Sequence, residues 1–211
     1  MVELMIQQDH ALIGVRRAFV TLNRATFFLG AGLRTTERAQ NDGARATGIE
    51  GPHRAKVIGN GLRELDRFLS LLLDEVAAVI APPGLDRARF RRQRNTANKL
   101  RTIRSAMARP SPDHDRLLAI GRSRDCLFHC GGIVRRGDGG AAMYMTAGWP
   151  SPLFAIGERL TIDAQDLHSV CRFYRHVAAD LLADSEVHLA ANDVLGSAMH
   201  RDGGYADCPS G

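Results

Sequence analysis

The sequence predicts an all-α protein: an antiparallel bundle of about five helices, with a short irregular or hairpin insertion before the last helix. Apolar residues recur at three- and four-residue spacing through most of the chain. The breaks between these stretches are short and marked by Pro and Gly. At 211 residues and 45% apolar composition, the chain is long enough to bury one good core. The expected organisation is one helical domain over 1–184 and a flexible C-terminal tail over 185–211.

Residues 1–30 read as helix, because Leu4, Leu12, Val15, Phe19, Leu22 and Phe27 keep the helical period. Residues 31–56 are rich in Gly, Thr, Arg and Asn and read as a polar connection, with some helix in Thr35–Gln40. The clearest stripe runs over 57–81, where Leu62, Leu65, Phe68, Leu69, Leu72, Leu73, Val76 and Ile80 share one face. Pro82-Pro83-Gly84 ends it. A helix is expected over 85–108, with arginines crowding one side and Phe90, Ala97, Leu100, Ile103 and Met107 on the other. Pro110 and Pro112 break it, and Asp113 is placed to cap the next helix. That helix should stop at Gly131-Gly132. From Ile133 to Leu160 the composition turns Gly-rich and fits short extended pieces or a hairpin. Asp163 then starts a final helix, whose pattern fades after Asp184.

The formal net charge of +5 favours an anionic partner, with nucleic acid the first candidate. Cys126, Cys130, Cys171 and Cys208 are scattered and lack the dense spacing of a disulfide scaffold. The N-terminal residues do not read as a signal peptide. The longest apolar run is broken by Asp74 and Glu75 and is too short for a bilayer. A cytoplasmic protein with no membrane association is the expectation.

The most chemically loaded segment is Arg122-Ser-Arg124-Asp125-Cys126-Leu127-Phe128-His129-Cys130-Gly131-Gly132. At about 100° per residue, Asp125 and His129 fall one turn apart on one side, with Arg122 nearly in line. Arg124 lies about 140° from His129, nearer the apolar stripe. An arginine there must reach around with its long stem or face a second protein surface, and in a dimer two copies could then build one cleft. His129 can exchange a proton near neutrality. Asp125 could hold one of its ring nitrogens. Either Arg122 or Arg124 could bind a phosphate bidentately and stabilise developing negative charge. An ordinary solvated helix end would carry the same residue types.

The stretch resembles the signature of the HEPN superfamily: an arginine, four to six residues, then a histidine at the end of a helix before a Gly-containing turn. Arg124 to His129 fits the four-residue spacing and Arg122 to His129 the six-residue spacing. Cys130-Gly131-Gly132-Ile133-Val134 looks like the family's continuation, and Gly157-Glu-Arg-Leu-Thr-Ile162 leads into one last helix. Asp125 and Cys130 stand where asparagine is common in the family. The resemblance implies an all-α homodimer whose Arg-His pairs face each other across a cleft. It implies metal-independent RNA cleavage, a role as toxin or phage-defence component, and an antitoxin protein as a further partner. His129 would act as general acid or base at the ribose 2′-hydroxyl, with Arg124 or Arg122 on the phosphate and Asp125 beside them.

Arg91, Arg92, Arg94, Lys99 and Arg101 form a candidate RNA-binding face, with a solvated helix face as the plain alternative. Cys126, His129 and Cys130 lack a second ligand pair, so no metal and no cofactor is expected. Trp149 and Tyr144 are more simply packing residues than base-stacking ones. Neither Gly30-Ala-Gly32 nor the 137–140 stretch matches a phosphate-binding loop. The alternatives to a nuclease are a non-catalytic HEPN-type RNA- or nucleotide-binding module and a plain helical interaction protein.

Overall fold

The strongest stripe in the sequence becomes the central helix. The computed structural model describes residues 12–30, 51–80, 82, 84–139, 142–149 and 153–201. Among these, α1 spans 12–30, α2 Gly51–Ile80, α3 Arg87–Arg92, α4 Thr96–Ala106, α5 His114–Cys130 and α6 Ala164–Arg201. On α2, Leu62, Leu65, Leu69, Leu72, Leu73 and Val76 are all buried, and the helix packs against α4, α5 and α6. Each such leucine contributes on the order of 1.5–3 kcal/mol by leaving water.

Pairs of close residues give the directions. Gly14 approaches Glu75 while Gly61 approaches Leu29, so α1 and α2 run antiparallel. Gly59 meets the Phe128 backbone while Asp66 meets Arg124, so α2 and α5 do too. The predominantly helical bundle expected from the sequence is therefore the observed architecture. The insertion is a hairpin: β1 (Tyr144–Thr146) pairs antiparallel with β2 (Leu153–Ala155), in the register Tyr144↔Ala155. An isolated bridge between Ile133 and Arg159 ties its base together. No described helix is long and apolar enough to cross a membrane.

Four local expectations need correction. The helix expected over 85–108 is two helices. Asp86 caps α3 by accepting from the Arg89 N–H at 3.0 Å, and Asn95 caps α4 by accepting from the Asn98 N–H at 3.1 Å. A second cap restarts the chain in a new direction. Asp113 does not cap α5 with its side chain; its carboxylate accepts from Arg104 Nη2 at 2.8 Å instead. The polar connection expected up to residue 56 ends earlier, since α2 begins at Gly51. The expected tail over 185–211 is helical as far as Arg201. Ser185 is buried and Glu186 pairs with Arg16 of α1 at 3.3 Å, so packing extends the helix where local pattern fades. The expectations for 1–11, for helix in Thr35–Gln40 and for 202–211 fall outside the described residues.

Two terminal devices position the site. Gly131 ends α5 in the left-handed region (φ 60°), and the N–H of Gly132 returns to the Cys126 carbonyl at 3.1 Å. Asp163 and Asp166 start α6 reciprocally: the Asp166 N–H donates to Asp163 at 2.7 Å and the Asp163 N–H to Asp166 at 3.3 Å.

Candidate functional site

Helix α5 ends at the surface, and its last turn forms the rim of a cleft of about 610 Å³. Arg124, Asp125, Phe128 and His129 line one wall. Arg63, Asp66 and Arg67 of α2 line the opposite wall, while Arg91 of α3, Arg94 of the connection and Thr96 of α4 close the end.

Arg124 is the best-anchored cation here. Its Nη1 donates to Asp66 Oδ2 at 2.6 Å and its Nε to Asp125 Oδ1 at 2.9 Å. The sequence put Arg124 near the apolar face of α5; in the fold that face meets α2, and Asp66 receives the guanidinium. Burial pulls the Arg124 pKa down, but the charges of Asp66 and Asp125 outweigh it and the net direction is up. Burial pushes the Asp66 carboxyl up, against the charge of Arg124 and a hydrogen bond from Thr96. Beneath the pair lies Tyr174 of α6, fully buried, its phenol pushed well up by burial first and then by Asp66.

His129 is exposed, and its ring meets the half-buried Phe128 ring edge-on at 4.8 Å between centroids. Asp125 does not hold the imidazole as its spacing allowed, because it is turned to Arg124. Among the described residues the imidazole has no hydrogen-bond partner, so both ring nitrogens are open to a ligand. Arg63 sits over the Phe128 ring at 5.5 Å and Lys56 at 5.9 Å.

The expected residues thus separate. Arg124, Asp125, His129, Arg91 and Arg94 border one cleft. Arg122 does not reach it. Its Nε lies 3.0 Å from Asp138 Oδ1, in a neighbouring groove that also reaches Asp125 and His129. Burial alone would raise the Asp138 carboxyl, but hydrogen bonds from Thr146 and the charge of Arg122 lower it. Arg92 lines a separate depression beside Arg89, and Arg101 is exposed elsewhere on α4. Lys99 cannot meet RNA at the surface as expected: it is 1% exposed, with Nζ at 2.9 Å from both Ser70 Oγ and Asp74 Oδ1.

Sequence reasoning missed Arg63, Asp66 and Arg67, which recur with Ser70 and Asp74 along the polar face of α2. That spacing was a signal, but it reads the same as any solvated face. Trp149 is buried, so it packs rather than stacks a base, whereas Tyr144, expected to pack as well, is exposed. Cys126 and Cys171 are buried thiols pushed up to about 11 by burial, which makes them poor nucleophiles. Among the described residues no three His, Cys, Asp or Glu side chains gather as a metal site.

Comparison with protein-family models, with curated proteins and with solved structures found no match. The chemistry of the cleft therefore carries the functional reading.

Proposed function

We propose that this chain is an HEPN-like, metal-independent RNA endonuclease acting as a homodimer. The observation that supports this most is the shared cleft: an exposed imidazole, unpartnered among the described residues, borders the same space as an anchored guanidinium and the arginines at 63, 67, 91 and 94. A phosphodiester needs that combination: fixed positive charge on the non-bridging oxygens and a group that moves a proton at neutral pH.

In this mechanism His129 takes the proton of a ribose 2′-hydroxyl. The 2′-oxygen attacks the adjacent phosphorus and the bond to the 5′-oxygen breaks. That oxygen leaves with a proton from an imidazolium, the partner copy's histidine or His129 itself. The products are a 2′,3′-cyclic phosphate and a 5′-hydroxyl. Arg124 holds the phosphate as charge develops, and Asp66 fixes its guanidinium plane. A toxin or phage-defence role, checked by an antitoxin protein, fits such an activity.

The test is cleavage of a generic single-stranded RNA. His129→Ala should lower the rate on the order of 10²–10⁴-fold, and Arg124→Ala should lower it comparably. Cleavage should persist in EDTA and leave a cyclic phosphate end. Undiminished cleavage by both variants removes the proposed site, and loss in EDTA replaces the chemistry.

One observation favours a second reading. Both faces of the Arg124 fork already meet carboxylates, Asp66 and Asp125. An arginine so engaged has less to offer a phosphate, as in a non-catalytic RNA- or nucleotide-binding module. Tight RNA binding without turnover selects that reading.

A further inference from the structure

A second groove of about 450 Å³ lies beside His129, and the proposed chemistry does not use it. Arg122, Arg135, Arg136 and Met145 line it, with Asp125 and His129 on the rim that it shares with the first cleft. The groove is built by an ion pair and hydrogen bonds rather than by chance exposure. Arg122 of α5 pairs with Asp138, and Asp138 in turn accepts from the Thr146 N–H at 3.0 Å and from the Thr146 hydroxyl. This pins β1 against α5. Val134 donates to the Glu158 carbonyl at 2.9 Å and accepts from the Gly157 N–H at 2.8 Å. Arg135 and Arg136 therefore project from a backbone that is fixed on its preceding residue.

The charge in this groove is unbalanced. Asp138 answers Arg122, but Arg135 and Arg136 are exposed and have no carboxylate partner among the described residues. The one carboxylate on the rim, Asp125, is turned toward Arg124 in the other cleft. Two free guanidinium groups in a concave surface attract a chain of phosphates. On the opposite side of His129, Arg91 and Arg94 likewise have no carboxylate partner among the described residues.

We infer that the Arg135–Arg136 groove holds the same RNA strand as the Arg91–Arg94 cleft, on the other side of the cleaved linkage. One single strand crosses the end of α5 with His129 beneath it. The inference rests on the reading of the site as an RNA site, and extends it to a substrate class: single-stranded RNA long enough to fill both sides. A single strand bends over a helix end and enters two grooves; a base-paired segment is too stiff and wide to dip into both.

The experiment measures binding of fluorescent oligouridylates of about 4 and about 12 nucleotides, lengths chosen to fill one side or both. The full chain carrying His129→Ala serves as a non-cleaving background. Adding Arg135→Ala with Arg136→Ala should raise the Kd of the longer oligomer about tenfold and flatten its salt dependence by up to about two ion equivalents. The short oligomer should change less than about twofold. Both arginines are exposed, and an unchanged thermal transition verifies the fold. Unaltered binding of the long oligomer, or equal weakening of both lengths, overturns the crossing path.

Parent-protein cleavage is scored separately. Binding with the predicted length signature but without turnover keeps the track and removes the nuclease. Cleavage whose KM for the long oligomer ignores Arg135 and Arg136 keeps the nuclease and removes the track. Absence of any binding at low salt removes both.

Discussion

Arg94 and Lys99 are cations five residues apart, and what surrounds each decides its role. Arg94 borders an open cleft, where a phosphate can replace water at its guanidinium. Lys99 turns inward, its ammonium held by Ser70 and Asp74 and 5.2 Å from the Phe90 ring centroid. By residue type alone both belong to a basic face. The burial of Lys99 depends on two side chains of α2, about 25–29 positions earlier in the chain, and no local pattern around residue 99 reveals them. The consequence is a dissociation of effects. Lys99→Ala strands Asp74 beside a cavity and should cost about 2–4 kcal/mol. That is reduced from the full cost of a broken buried pair, because Asp74 is 16% exposed. Thermal or urea unfolding reads this directly. RNA affinity, measured well below the melting transition, should stay within about twofold of the parent, whereas Arg91→Glu with Arg94→Glu should weaken it at low salt and flatten its salt dependence. A Lys99→Ala protein of parental stability would mean that the pair is worth nothing to the fold.

Helix by helix, the apolar stripes were legible because each is a local periodicity, and the stop of α5 was legible because Gly131 supplies a left-handed residue. The break at residues 93–95 was not, since Asn95 reads as one more polar residue until its side chain is seen to cap α4. Nor was the continuation of α6 past Asp184, where Ser185 is buried, Leu189 packs on the core and Glu186 meets Arg16 of α1. The contact between α2 and α5 carries a sharper consequence. Helix propensity says that Gly59→Ala should stabilise α2 by up to about 1 kcal/mol. The fold says otherwise. A Cβ at Gly59 would stand 2.7 Å from the Phe128 amide nitrogen and 3.0 Å from its Cα. Those are backbone atoms of the neighbouring helix, so α5 itself must shift. Overpacking of this kind costs about 1–3 kcal/mol, enough to reverse the sign. The same shift moves Phe128 and His129 away from Arg63 and Asp66. Gly59→Ala should therefore unfold more easily and cleave more slowly, although residue 59 lines neither groove. A stabilised variant with parental cleavage would show that α5 yields without cost.

Across the whole molecule, the site was half legible. Arg122, Arg124, Asp125 and His129 lie on one helix within eight positions, so spacing alone could draw them together. The facing wall comes from α2, and the second groove from the base of the hairpin, and only the packed bundle brings these beside α5. The fold also leaves the imidazole at the surface rather than enclosed, and that bears on assembly. Among the described residues a single copy offers one imidazole at the cleft, yet the proposed reaction must take a proton from the 2′-oxygen and give one to the 5′-oxygen. A second copy placing its own His129 across the linkage supplies both at once. The proposed homodimer therefore predicts a rate that depends on concentration. Sedimentation should show a particle of twice the 23.0 kDa chain mass under active conditions. Below the dimer dissociation constant the dimer fraction falls in proportion to total chain, so cleavage per chain should fall linearly on dilution. Adding excess His129→Ala chain to dilute parent then forms mixed dimers that hold one imidazole, and the rate per parent chain should drop further. Activity per chain that stays constant over a hundredfold dilution, and that ignores the variant chain, would assign both proton transfers to one copy of His129 acting in turn.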